Sequence, residues 1–160
     1  MKIRAMLAAL LLAAGLVCVP GCKKAAKKTA AENAEPTTPS EVAAAYMKAL
    51  MDGDEAAALK LCTGKNAEKD VKEAVREMAE AKKKAEADPK CEEALGLAVL
   101  KNYKFAETIE GDKATTVMIA VFDVDGEKRE EKINEISFTL KKVDGEWKLD
   151  CDAMDAASQK

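Results

Sequence analysis

Residues 101–151 read KNYKFAETIEGDKATTVMIAVFDVDGEKREEKINEISFTLKKVDGEWKLDC, and this stretch decides the fold. Its apolar residues recur with a period of two: Tyr103 and Phe105 alternate with Lys104 and Ala106, and Trp147, Leu149 and Cys151 alternate with Lys148 and Asp150. That is the pattern of a strand with one buried face. Gly111-Asp112, Asp125-Gly126 and Asp144-Gly145 are hairpin dipeptides, because two-residue turns need backbone conformations that Gly, Asn and Asp tolerate. They predict four strands near residues 101–110, 113–124, 128–142 and 145–151, joined as an antiparallel meander. In the second, Val117, Ile119 and Val121 oppose Met118, Ala120 and Phe122, so both faces are apolar. Such a strand is expected to be central and covered on both sides.

Working upstream, the period changes to that of helices. Thr38-Pro39-Ser40-Glu41 has the form of a capping box with proline in the first turn. Val42, Tyr46, Ala49 and Leu50 then fall on one helical face. Asp52-Gly53-Asp54 ends that helix and caps the next, whose apolar side is Ala57, Ala58, Leu61 and Cys62. Thr63-Gly64-Lys65-Asn66 breaks the pattern. A third helix is expected from about Ala67 to Ala87, with Val71, Val75 and Met78 inward and a solvated far half rich in Lys, Glu and Ala; Asp88-Pro89 stops it. Helices first and strands after imply an α+β domain, with N-terminal helices packed on a curved four-stranded antiparallel sheet.

Further upstream the sequence is not that of a fold. Lys23 to Thr38 has no large apolar residue and reads as a tether. Its Lys23, Lys24, Lys27 and Lys28 stand next to the N-terminal segment and could touch anionic headgroups, at about 1 kcal/mol each. Met1 to Arg4 is basic, and Ala5 to Val19 is an unbroken apolar run. That run is shorter than the roughly 20 residues a spanning helix needs, and it fits the apolar region of an export signal. The organisation expected is a signal peptide over 1–21, a lipid-anchored tether over 22–38, a folded domain over 39–152 and a C-terminal tail over 153–160.

Two resemblances follow from these residues. Val19-Pro20-Gly21-Cys22 resembles the lipobox of bacterial lipoproteins, although Pro20 departs from the commoner small residue there. Cys18 is disfavoured because Val17 is bulky at the cleavage position. The resemblance implies cleavage before Cys22 and diacylglycerol on its thiol, and two or three acyl chains anchor stably where one does not. Lys23 rather than Asp after the cysteine implies the outer membrane over the inner. The helical hairpin turning at Asp52-Gly53-Asp54, with a sheet closing on Lys142-Val143-Asp144-Gly145-Glu146-Trp147-Lys148-Leu149, is similar to the nuclear transport factor 2-like (cystatin-like, SnoaL-like) superfamily, most of all to its uncharacterised lipoprotein domains. It covers about residues 39–152 and implies a cone of curved sheet around helices, often with a pocket and often dimeric.

Chemistry is sparse. The chain has 160 residues, no histidine, and 26 basic against 29 acidic residues. Without histidine it lacks the commonest general base and the commonest transition-metal ligand. An acidic domain on a basic stem is a poor nucleic-acid binder. Enzymes of the superfamily place Asp, His or Tyr inside the cone. Here Tyr46 and Tyr103 read as core or rim, and Asp123 and Asp150 adjoin a turn or a sheet end. Asp123-Val124-Asp125-Gly126-Glu127 has the alternating acids of a calcium loop but not the remaining ligand spacing. No phosphate loop, nucleophile elbow or metal spacing is present. The expectation is a non-catalytic envelope lipoprotein domain that binds a small apolar ligand or an envelope protein, with no cofactor and a possible homodimer. The alternatives are an isomerase- or dehydratase-like enzyme and a structural module of an envelope assembly. A closed apolar cone pocket would favour ligand; a filled cone with an apolar outer sheet face would favour protein partners.

Lipidation of Cys22 leaves Cys62, Cys91 and Cys151 in the folded part. Export favours disulfides, and three thiols allow one bridge at most. A third helix about 30 Å long separates Cys62 from Cys91, too far for bridged Cα atoms. In a meander Cys91 leads into the first strand and Cys151 ends the last, so Cys91–Cys151 is ranked first, against three free thiols.

Overall fold

In the computed structural model, residues 35–124 and 127–157 are described. The expected export signal, Cys22, most of the expected tether and the expected Asp125-Gly126 turn lie outside them.

Thr38 caps α1 (Pro39–Asp52). Its hydroxyl accepts from the Glu41 N–H, and the Glu41 carboxylate accepts from the Thr38 N–H, so two orphan donors of the first turn are satisfied reciprocally. Val42, Tyr46, Ala49 and Leu50 are all buried, as their spacing requires. Gly53 closes α1 in the left-handed conformation, and the Asp54 carboxylate caps α2 (Glu55–Lys60) by accepting from Ala57. The long helix α3 (Ala67–Ala87) buries Val71, Ala74, Met78 and Ala81, while its far half carries exposed lysines and glutamates.

Four of the strands lie where the turn dipeptides put them: β2 (Tyr103–Glu110), β3 (Lys113–Val124), β4 (Glu127–Val143) and β5 (Glu146–Asp150). Asp144 and Gly145 both adopt positive φ, 54° and 87°, in the two-residue turn that sends β4 back as β5. The twist of a primed turn matches that of the strands it joins. The expected four-stranded antiparallel sheet is nonetheless corrected. The sheet has five strands in the order β1-β5-β4-β3-β2, and β1 (Cys62–Thr63) runs parallel to β5, which makes it mixed. A strand of two residues has no alternation to read, and the sequence places Cys62 on the apolar side of the second helix.

Three further features depart from expectation. Helix α4 (Glu92–Val99) occupies the approach to β2, where no element is expected, and α5 (Cys151–Ala157) occupies much of the expected tail. Within β4, Val117 pairs with Ser137 but Met118 pairs with Ile133, so Asn134, Glu135 and Ile136 stand outside the ladder. An interruption of this kind bends a strand and re-aims its side chains, and Ile133, Ile136 and Phe138 are all buried here. Finally, β3 is not covered on both faces. Met118 and Ala120 are fully buried, but Val117, Ile119 and Val121 are half-buried and stand apart from the core cluster. On that outer face the exposed pair Lys104–Glu130, at 2.7 Å, joins β2 to β4 across β3.

The core therefore lies on one side of the sheet. Helix α1 packs against β2, β3 and β5, and α3 packs behind it against α1, α2 and α4. Among the described residues no helix is long and apolar enough to cross a membrane.

Candidate functional site

The space between the helices and the sheet is where the superfamily resemblance puts a pocket. Here aromatic rings occupy it. Phe138 is 1% exposed and meets Tyr46 edge-on, with ring centroids 5.6 Å apart. Phe105 packs on the other side of Phe138 at 5.6 Å, and Tyr103 stands edge-on to Phe105. Met78, Met118, Ile136 and Leu140 fill in around them. Burial raises both tyrosines above the ordinary phenol range, most for Tyr46, so both keep their protons near neutral pH. One polar atom is buried without a partner among the described residues, the Thr116 hydroxyl, on the same face of β3 as Met118.

The carboxylates named from the sequence are elsewhere. Asp150 lies at the end of β5, pairs with Lys141 at 3.0 Å and accepts from the Ala153 N–H at the start of α5. Asp123 is exposed near the end of β3. Among the described residues no group of three or more acidic or thiol side chains could hold a metal ion. An open depression along α3 is lined by Lys65, Glu68, Lys69, Lys72, Glu73 and Arg76. Three of these six make ion pairs within it or with its neighbours: Lys72 to Glu68 at 2.6 Å and to Glu55 at 4.0 Å, Arg76 to Glu80 at 3.9 Å. That is the pattern of a solvated helix face.

The most organised arrangement of chemically reactive side chains is at the junction of β1, β5 and α5. The Leu149 N–H donates to the Leu61 carbonyl at 2.8 Å and sets Cys62 opposite Leu149 and Thr63 opposite Asp150. Beyond the strand, the Lys65 N–H donates to both carboxylate oxygens of Asp152, at 3.0 and 3.3 Å. Gly64 makes that approach possible: its φ is +122°, and a Cβ there would stand 3.0 Å from the Asp152 Oδ1. Between these two clamps the Cys62 and Cys151 thiols are neighbours, and Cys151 is 1% exposed. Its interaction with Cys151, then burial, pushes the Cys62 thiol up, while the same interaction lowers Cys151, against burial and the carboxylates of Asp70, Asp150 and Asp152.

All three cysteines of the described residues are free thiols. The fold brings Cys62, not Cys91, to Cys151. Cys91 caps α4, its sulfur accepting from the Ala94 N–H. The ranking of Cys91 first assumed a meander bounded by β2 and β5; the parallel strand β1 adds Cys62 beside β5 instead.

The architecture is thus an α+β domain with helices on one face of a mixed sheet. The chain belongs to a family described as a domain of unknown function (DUF4878), which matches residues 29–150 and so begins within the expected tether. No curated protein and no solved structure matches the chain.

Proposed function

We propose that this chain is an envelope lipoprotein, anchored by lipid on Cys22, whose nuclear transport factor 2-like domain is non-catalytic and works by holding a protein partner. The observation that carries the reading is the filled interior. Tyr46 and Phe105 meet Phe138 edge-on and tilted in the space that a small-molecule binder or an isomerase of this superfamily would keep open. The half-buried row of Val117, Ile119 and Val121 on the opposite face is apolar surface that a partner could cover. The box Val19-Pro20-Gly21-Cys22 after a 15-residue apolar run, Ala5 to Val19, supports the anchor.

The test has two arms. Cys22→Ala is expected to release the protein from membranes and to remove the lipid mass. A variant that still sediments with carbonate-washed membranes overturns the anchor. Photocrosslinking from position 119 in native membranes is expected to give one discrete adduct of protein size. Native mass spectrometry that finds a small apolar molecule bound to the domain, with no such adduct, overturns the protein-partner reading.

A further inference from the structure

We propose that Cys62 and Cys151 are an oxidation site, joined as a disulfide in the exported protein, and that this bond locks the edge strand β1 and the helix α5 onto the sheet. The pairing rests on backbone register. Cys62 stands opposite Leu149 in the parallel β1–β5 ladder, and Cys151 lies two residues further on, buried like Leu149. The ionisation of each thiol depends on the other, as expected of neighbours on one face of adjoining segments. Both chain segments are held on either side of them, by the Leu149 N–H on the Leu61 carbonyl and by the Asp152 carboxylate on the Lys65 N–H. The register thus brings the two cysteines to one face of adjoining segments, and the bond closes once their Cα atoms come within about 4–7 Å.

Access orders the two steps. Cys62 is half-buried while Cys151 is 1% exposed. Cys62 is the thiol that meets an oxidant, a disulfide-bearing oxidoreductase or oxidised glutathione. Cys62 passes its proton to the neighbouring Cys151 sulfur as it attacks one oxidant sulfur, forming a mixed disulfide and releasing the other oxidant sulfur as a thiolate. Cys151 then attacks the Cys62 sulfur and releases the second thiolate. The oxidant gains two electrons and the two protons given up by the cysteines. The bond closes a loop that contains all of α3, α4, β2, β3, β4 and β5, and its effect is to restrict the unfolded chain. A two-residue edge strand has few ladder bonds of its own, so it is the element with most to gain.

Only the supply of oxidant rests on the export reading; the geometry does not. The purified folded protein is therefore equilibrated in vitro with reduced and oxidised glutathione at defined ratios, trapped by alkylation and mapped by peptide mass without reduction. The expected result is one crosslinked pair, the Cys62 and Cys151 peptides, lighter by two hydrogens, with Cys91 fully alkylated. The oxidised form is expected to melt about 10–20 °C above the reduced form, a gap absent in Cys151→Ser and retained in Cys91→Ser. Three alkylated thiols at an oxidising ratio, a link through Cys91, or stable glutathione adducts on Cys62 overturn the proposal. The same trapping in intact cells reports on the compartment separately. A pair that links in vitro but is reduced in cells refutes the exported disulfide on grounds of location and leaves the geometry standing.

Discussion

Replacing Thr116 by valine is expected to stabilise the domain. Thr116 sits on β3 between Glu107 of β2 and Phe138 of β4, with no exposure, and its hydroxyl has no hydrogen-bond partner. Burying an unpaired hydroxyl costs roughly 1–3 kcal/mol, because its bonds to water are given up and nothing replaces them. Valine puts a methyl where that oxygen stands, keeps the branched shape that strands accommodate, and removes no ladder bond, since the ladder uses only backbone. The net gain is about 1–2 kcal/mol. For a domain of this size that raises Tm by about 4–8 °C. Thr116→Ser is the partner experiment: it keeps the hydroxyl and deletes the methyl, which costs about 1 kcal/mol. The expected order is therefore Val above Thr above Ser. Urea and thermal unfolding followed through Trp147, the sole tryptophan, would measure it. Valine at or below wild type refutes the reasoning, because the hydroxyl would then have a partner in solution. A bound water or the polar end of a ligand in the interior would act so, and the filled-interior argument would weaken with it.

Other outcomes follow from named contacts. Trp147→Ala is expected to cost about 3–5 kcal/mol, since the ring is 8% exposed. Lys142→Met, which removes the ammonium 5.1 Å from that ring and keeps an apolar side chain of similar length, is expected to cost about 0.5–1 kcal/mol; equal losses in urea unfolding would show that Trp147 is not core. Gly64→Ala forces a side chain into a left-handed conformation and against Asp152, and is expected to cost about 1–3 kcal/mol. Asp152→Ala in that background should relieve the two side-chain contacts but neither the contact with the backbone nitrogen of residue 152 nor the backbone strain, so full recovery of Tm would contradict the assignment. The Glu41 carboxylate accepts from the Thr37 and Thr38 N–H groups and the Thr37 hydroxyl, and these bonds hold it below the usual carboxylate range. A carboxylate depressed in the folded state contributes stability above its unfolded value and loses it as pH falls through the folded one. The Tm difference between wild type and Glu41→Ala should therefore be constant near neutral pH and shrink in acid; a difference independent of pH contradicts the charged cap.

Much of this fold was legible because its signals are local. The Thr38–Glu41 capping box, the Asp54 cap and the Asp144-Gly145 turn each act within three or four residues, and each is present in the structure. The inward faces of α1 and of the strands follow from periods that a sequence displays directly. What the tertiary structure decided were relations across long stretches of chain. Cys62 and Thr63 are too few to show a period, and only the return of β5 beside them makes them a strand. Helix α4 falls in a segment that a meander would use as lead-in, and packing against α3 holds it there. The apolar outer face of β3 promised a second layer, yet the described elements pack on the other side. The thiol pair belongs to the same class. Cys62 met Cys151 through a parallel register between segments separated by most of the domain, and such a register is set by which faces must be buried together, not by the residues at either end.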